Sequence, residues 1–157
     1  MASLKKVLKK KKYLKVKLKK IATNHLELKA KINGVKGRFI LDTGASISCV
    51  GIDQISYFNL ITEDSDLKAA GAGAIDMLTK RSSSNEIQLG KWKIDSCDLV
   101  LLDLGHINTV LKQSEAKEVH GIIGADLLES GKAFIDYGEK CLYLKKVKRK
   151  KLKKLPF

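Results

Sequence analysis

Several kinds of residue are scarce in this chain, and each shortage excludes a class of protein. One proline and 12 glycines among 157 residues argue against a collagen-like or low-complexity chain. Three widely spaced cysteines suit neither a disulfide framework nor a zinc site, so we expect free thiols: Cys49, Cys97 and Cys141. No run approaches the roughly 18 apolar residues that span a bilayer. Lysines interrupt the apolar N-terminal residues, so the sequence predicts no secretory signal and a cytoplasmic protein.

Acidic residues are missing from both ends of the chain. Residues 1–20 hold ten lysines, and residues 145–157 hold eight lysines or arginines. The middle therefore keeps 31 − 18 = 13 basic residues against 17 acidic ones, a net charge of −4. We predict a basic extension with a possible first strand over 1–20, a domain over 21–144 and a basic tail over 145–157. The ends either make weak, salt-sensitive contacts with RNA, DNA or anionic lipid, or act only as solubilising tails.

Apolar and polar residues alternate along much of the chain, which indicates strands. The clearest case is a run over 26–32 that ends in Asn33-Gly34, a strong hairpin signal, with a return strand over Val35–Leu41. Further strands are predicted over 13–18, 86–89, 92–104, 134–137 and 141–144, and short helices over 107–114 and 125–129. The polar stretch 79–86 is expected to be a loop. The sum predicts an all-β fold with one or two short helices.

The segment from Phe39 to Ser46 is the most informative for chemistry. A strand leads a carboxylate, Asp42, into a tight glycine turn flanked by hydroxyl and apolar side chains. We expect such a turn to hold the carboxylate rigidly in a dry place. Two such carboxylates at about 3 Å cannot both ionise, so they share a proton. The ionised member can activate water while the protonated member donates to a carbonyl oxygen.

At these residues the sequence resembles the aspartic peptidases of the pepsin and retropepsin clan. Leu41-Asp-Thr-Gly-Ala-Ser46 is similar to the active-site signature of that clan, and Ile122-Ile-Gly-Ala-Asp-Leu-Leu128 is similar to its second signature. Between them, glycine and alanine residues at 69–76 lie where the clan has its flap. All of these matches occur in the order of the family, and the resemblance covers about residues 25–144.

The resemblance implies a closed, retropepsin-like acid-protease β-barrel with a flap hairpin, acting as an aspartic endopeptidase. Because the chain has only one Asp-Thr-Gly, it resembles the retroviral form, in which a homodimer pairs two aspartates. Asp42 would then be catalytic, and the supporting residues would be Thr43, Gly44, Ala45, Ile122, Ile123 and Gly124. The flap that closes over an extended polypeptide substrate would carry Gly71, Ala72, Gly73 and Ala74.

Other functions stay open at this point. The chain can be a catalytically idle module that binds a peptide in the same groove, or a polyanion-associated protein that acts through its basic ends. The scattered His25, His106 and His120 predict no metal site, and no cofactor is expected. Cys49 lacks a nearby histidine, so a thiol nucleophile is not favoured. Asp126 is expected to lie in the first turn of a helix, where an acidic residue is favourable.

Overall fold

The computed structural model describes residues 2–71 and 74–147, most of which form β-strands. In chain order the elements are α1 (Leu4–Lys10), β1 (Tyr13–Lys17), β2 (Lys19–Lys20), β3 (Leu26–Ile32), β4 (Val35–Leu41), β5 (Cys49–Gly51), a 3₁₀ turn (Ile52–Gln54), β6 (Glu63–Gly71), β7 (Ala74–Leu89), β8 (Trp92–Leu102), α2 (Gly105–Gln113), β9 (Gly121–Ile123), α3 (Ala125–Ser130), β10 (Phe134–Asp136) and β11 (Cys141–Lys145). Among the described helices, none is both long and apolar enough to cross a membrane.

Six strands close into a barrel. They follow the order β3-β4-β9-β5-β8-β7, and β7 pairs back onto β3 through Lys31–Gln88 and Ile32–Ile87. The alternating apolar residues point inwards and form the largest buried cluster, which includes Leu28, Phe39, Val50, Ile87, Leu99, Leu101 and Ile123. The predicted all-β closed barrel is confirmed. Burial of this apolar set is the main favourable term for the fold.

The predicted β3–β4 hairpin is confirmed residue by residue. All seven positions from Leu26–Leu41 to Ile32–Val35 pair in antiparallel register. Asn33 and Gly34 both have positive φ, 51° and 80°, as the tight two-residue turn of a hairpin requires. The Asn33 side chain then donates to the Phe58 carbonyl at 3.1 Å and to Asn85 Oδ1 at 2.9 Å. The turn residue therefore also ties the hairpin to the rest of the barrel.

The predicted loop over 79–86 is wrong, because β7 runs through it. Thr79, Ser82 and Asn85 are buried, and Asn85 Nδ2 donates to the carbonyl and the hydroxyl of Ser82 at 3.0 Å each. The register with β8 shifts between Ser82 and Asn85, and Ser84 has a φ of 61°, which together mark a bulge. The polar residues satisfy one another inside the bulge, so the strand continues despite its composition.

A second, three-stranded sheet has the order β1-β11-β10. The predicted first strand is present in it, paired from Tyr13–Lys145 to Lys17–Cys141. Helix α1 was not expected; Leu8 anchors it by packing on Cys141 and Tyr143. Trp92, buried at the start of β8, donates from Nε1 to the Lys145 carbonyl at 2.9 Å and links this sheet to the barrel.

Candidate active site

The loop between β4 and β5 carries Asp42 and holds its carboxylate by local hydrogen bonds. The Gly44 amide donates to Asp42 Oδ1 at 2.9 Å, and the Ala45 amide donates to the Asp42 carbonyl at 3.2 Å. The Asp42 amide donates to the Ile123 carbonyl at 3.0 Å, which ties the turn to β9. Among the residues whose side chains the structure describes, 2–64 and 79–147, Oδ2 has no hydrogen-bond partner. One carboxylate oxygen is thus fixed and the other is available.

Strand β9 passes between the two ends of this loop. It pairs in parallel with β4, matching Leu41 to Ile123, and antiparallel with β5, matching Cys49 to Ile122. The Ala125 amide donates to the Ala45 carbonyl at 2.7 Å where β9 leads into α3. The structure therefore brings Asp42–Ala45 together with Ile122, Ile123 and Gly124, the set of residues that the family resemblance implied.

Gly124 lies so close to the loop that a side chain would collide with it. A Cβ at this position would be 2.6 Å from the Ala45 carbonyl oxygen and 3.1 Å from the Ile47 carbonyl group. Both contacts are with backbone atoms, which cannot swing aside as the end of a side chain can. Glycine is required here for the close approach of two backbone segments.

Ser48 and Asp126 form a buried link that the sequence analysis did not identify. Asp126 Oδ1 accepts from the Ser48 amide at 2.9 Å, the Ser48 hydroxyl at 2.7 Å and the Leu127 amide at 2.8 Å. The Gly124 amide donates to Ser48 Oγ at 2.8 Å, and Ser48 is fully buried. Asp126 does lie in the first turn of α3, as predicted, but its carboxylate also fastens the end of the Asp42 loop to that helix. The two residues are 78 positions apart, so only their tertiary contact reveals the pair.

In the single protomer the site is open, which corrects the expectation of a dry carboxylate. Asp42, Thr43 and Gly44 are exposed, Ala45 is half-buried, and the apolar Ile47 is 42% exposed. No element of the same chain covers Asp42 among the described residues. The local sequence fixes the carboxylate but does not shield it, since shielding needs a second surface.

The hairpin expected to form the flap is present as β6 and β7, which close at the Gly71–Ala74 pair. Of the predicted tip, Ala72, Gly73 and Ala74, the first two lie outside the described residues, and Ala74 begins β7. The predicted flap therefore has its hairpin, and its closing role stays a prediction.

A thiol nucleophile next to Asp42 is ruled out by burial. Cys49 is buried at the start of β5, and burial raises the pKa of its thiol to about 12. The thiolate needed for attack is therefore negligible at neutral pH. Asp42 remains the reactive candidate of this loop.

The opposite end of the β4–β9 pair holds a second polar group, which sequence reasoning did not single out. The Arg38 amide donates to His120 Nδ1 at 3.0 Å, and the His120 amide returns a bond to the Arg38 carbonyl at 2.8 Å. The Tyr57 ring stacks on the imidazole at 5.1 Å. Burial, followed by the nearby Arg38 guanidinium, lowers the pKa of His120. All of these contacts support a structural role as a neutral ring.

Comparison with known proteins agrees with this geometry. A protein-family model described as "Aspartyl protease" matches residues 28–127. A retropepsin-like aspartic protease from Rickettsia conorii aligns over 84% of this chain and 89% of its own, at 20% identity and a TM-score of 0.53. The retroviral protease-like domain of Ddi1 from Leishmania major aligns over 82% and 98%, at 17% identity and a TM-score of 0.53. EIAV protease, solved with the inhibitor HBY-793, aligns over 67% and 86%, at 17% identity and a TM-score of 0.51.

No curated protein matches the chain in sequence. The family match nevertheless spans more than half of the chain, and it includes the Asp42 loop, β9 and the first residues of α3. The structural matches show the fold. This chain therefore belongs to the aspartyl protease family and has the retropepsin-like fold.

Proposed function

We propose that this chain is an aspartic endopeptidase whose active form is a homodimer with one Asp42 from each protomer. The observation that carries the proposal is that one chain positions a single exposed carboxylate, which is half of the site that the reaction needs. The Gly44 amide fixes one oxygen of Asp42, the other has no hydrogen-bond partner among the described side chains, and the residue is exposed. A buried hydrogen-bond network and a glycine without space for a Cβ hold this loop. No second carboxylate lies beside Asp42 among the residues whose side chains the structure describes, 2–64 and 79–147.

A second copy would complete the site. Two Asp42 carboxylates at about 3 Å would share one proton, because both cannot stay ionised so close together. Thr43 of each loop would bond across the two-fold axis beneath the pair, and the exposed Ile47 would be covered. Strand β1 already pairs with β11 of its own chain, so this pairing is made within one protomer and does not need the second copy.

The proposed reaction needs only water. The ionised carboxylate takes a proton from a water molecule while the oxygen of that water bonds to the scissile carbonyl carbon. At the same time the protonated carboxyl group gives its proton to the carbonyl oxygen. The tetrahedral intermediate then collapses and the C–N bond breaks. The leaving nitrogen receives the proton that came from the water, and the carboxylate that protonated the carbonyl oxygen takes a proton back from a hydroxyl of the intermediate. The products are a carboxylic acid and an amine, and the carboxyl pair returns to one shared proton.

The test is a digest of a broad peptide library by the full chain across pH 4–8, a range chosen around the titration of a carboxyl pair. Cleavage that stops with an aspartic-protease inhibitor and with Asp42→Asn supports the proposal. Cleavage that continues in Asp42→Asn overturns it. Peptide binding without any cleavage would instead favour the idle, peptide-binding module.

A further inference from the structure

The two lysine-rich ends of the chain meet at one corner of the structure. Strand β1 pairs with β11 so that Tyr13 lies opposite Lys145, and the Lys146 amide donates to the Lys12 carbonyl at 3.0 Å. Helix α1 leads directly into β1 and packs on the same sheet through Leu8. Basic segments that are over 120 residues apart in sequence thus form one surface, which we call the basic corner (residues 2–17 and 145–147).

The charges of the basic corner are not compensated by any acidic side chain that the structure describes. Lys5–Lys9 and Lys6–Lys10 are like-charge neighbours four residues apart on α1, an unfavourable arrangement. Lys5 and Lys6 also stand in the first turn of α1, where the helix dipole disfavours a positive charge and no acidic residue occurs. In the part of the chain that the structure describes, the ion pairs involve residues 27, 38, 63, 81, 86, 93, 95, 112 and 118, and none involves a lysine of the corner.

Apolar side chains lie exposed among these lysines. Leu8 faces the sheet and is buried, whereas Leu4 and Val7, one helical turn apart, are 47% and 38% exposed. A shallow groove of about 350 Å³ runs past Val7 and is lined by Ala2, Lys6, Lys9 and Lys10. Val147, next to Lys146, is 41% exposed. Lysines that flank exposed apolar residues on a helix are typical of helices that lie in a membrane interface.

We propose that the basic corner binds the surface of an anionic lipid bilayer. Leu4 and Val7 enter the headgroup region, while Lys6, Lys10 and their neighbours meet lipid phosphates and carboxylates. Lysine suits such a diffuse anionic surface, because its ammonium group is a point charge without a fixed geometry. Bidentate recognition of a single phosphate would instead need the planar guanidinium group of arginine. The two described arginines, Arg38 and Arg81, are in other elements.

The same corner is poorly built for nucleic acid. Binding of single strands relies on aromatic side chains that stack on bases. Tyr13 is the only aromatic residue among the first 20, and it is already engaged. Its ring packs edge-on against Phe134 at 5.5 Å, and its hydroxyl donates to the Lys132 carbonyl at 3.0 Å. The chemistry of the corner therefore favours lipid.

The test uses the full chain and vesicles of phosphatidylcholine with or without phosphatidylserine. Binding should require phosphatidylserine and weaken with salt. Lys6→Gln with Lys10→Gln should weaken it about 30-fold at low ionic strength, taking about 1 kcal/mol for each lysine near an anionic surface and 1.4 kcal/mol for each tenfold. This pair removes a like-charge repulsion and an unfavourable charge from the first turn of α1, which offsets the loss of Lys10 from its last turn. The stability of the helix should therefore change little. Leu4→Ser with Val7→Ser should weaken binding about tenfold, by removing apolar contact.

A matched pair elsewhere, Lys29→Gln with Lys117→Gln, has the same charge change at exposed positions of β3 and of the segment before β9. It should bind as the unaltered chain does. The proposal is overturned if the chain does not bind vesicles in a phosphatidylserine-dependent way. It is also overturned if the matched pair weakens vesicle binding as much as the Lys6→Gln and Lys10→Gln pair does. Binding to single-stranded RNA in the absence of vesicle binding would also overturn it, in favour of a nucleic-acid partner.

Discussion

The paired strands β4 and β9 end in polar groups at both ends, and the two groups are used differently. At one end, Asp42 is exposed and one of its oxygens has no partner among the described residues. At the other end, His120 and Arg38 exchange two hydrogen bonds beneath the Tyr57 ring. Buried polar groups with satisfied partners hold the fold, and under the proposed function the exposed Asp42 oxygen without a described partner is the one that reacts. Changes at Asp42 should therefore alter activity alone, whereas changes at its supports and at His120 should alter stability.

The largest effect is expected from Asp42→Asn. The amide keeps an oxygen for the Gly44 amide but cannot exchange a proton, so cleavage should fall by on the order of 10³-fold. The free energy of unfolding in urea should change by less than about 0.5 kcal/mol, as at an exposed site. Asp103→Asn is the matched control, because exposed Asp103 accepts from the amide two residues on in the same way, at 2.7 Å. Loss of activity in Asp103→Asn, or retained cleavage in Asp42→Asn, would contradict the assignment of Asp42 as the reactive carboxylate.

Gly124→Ala tests whether the loop is held by close backbone contact. The new Cβ would lie 2.6 Å from the Ala45 carbonyl oxygen, so the loop must shift. We expect a loss of about 1–3 kcal/mol in urea unfolding, as for overpacking, together with loss of cleavage. In Gly138→Ala the nearest atom to the new Cβ is Asp136 Oδ1 at 3.4 Å, an ordinary contact, and stability should barely change. Equal effects at the two glycines would contradict the role given to Gly124.

Ser48→Ala tests the buried link to Asp126. The change leaves the Gly124 amide without its acceptor and removes one of three donors to Asp126. A buried unsatisfied group costs about 1–3 kcal/mol, which urea unfolding would measure, and cleavage should fall as the loop loosens. Ser130→Ala removes a hydroxyl from an exposed position of α3 and should cost less than about 0.5 kcal/mol. If Ser48→Ala is as mild as this control, the link does not hold the loop.

The smallest effect is expected from His120, on the way the free energy of unfolding depends on pH. Burial lowers its pKa below the usual 6.5, so as the pH falls the unfolded chain takes up the proton before the folded chain does. The stability from the neutral ring is therefore full above about pH 6.5 and declines as the pH falls through the folded-state pKa. The charged groups that act on the ring are Arg38, Asp53 and Glu118.

His120→Asn keeps an acceptor near the position of Nδ1 and removes the titration. Urea unfolding between pH 7.5 and 5 (a range of about one to one and a half units on either side of the usual pKa) should show a flatter slope for this variant. His106→Asn, at an exposed position, should leave the slope unchanged. If the free energy of unfolding of His120→Asn depends on pH as steeply as that of the unaltered chain, His120 does not contribute to the loss of stability at low pH.

Elements set by local pattern could be predicted from the sequence. The β3–β4 hairpin follows from alternation and from Asn33-Gly34, whose positive φ values the turn demands. The Asp42 turn and the meeting of its loop with Gly124 were predicted through family resemblance. Dimerisation and the flap tip stay predictions.

Features set by non-local contacts could not be predicted. The strand through 79–86 depends on hydrogen bonds of the Asn85 side chain with Asn33 and Ser82 inside the barrel. The polar composition of this segment gives no sign of these contacts and suggests a loop instead. Ser48 and Asp126 meet only because β9 lies beside β5. Helix α1 is lysine-rich and short, and it is held by Leu8 against β11, so its propensity alone gave no signal.

The central claim is that one chain supplies half of a catalytic site, and mixing with an inactive partner tests it most directly. Cleavage per molecule of unaltered chain would be measured on dilution and then with increasing amounts of Asp42→Asn chain. If two Asp42 residues act together, specific activity falls on dilution as the dimer dissociates. An equal amount of the variant then lowers it to about half, since half of the unaltered chains pair with an inactive one. Activity per molecule that is independent of both dilution and the added variant would contradict the account.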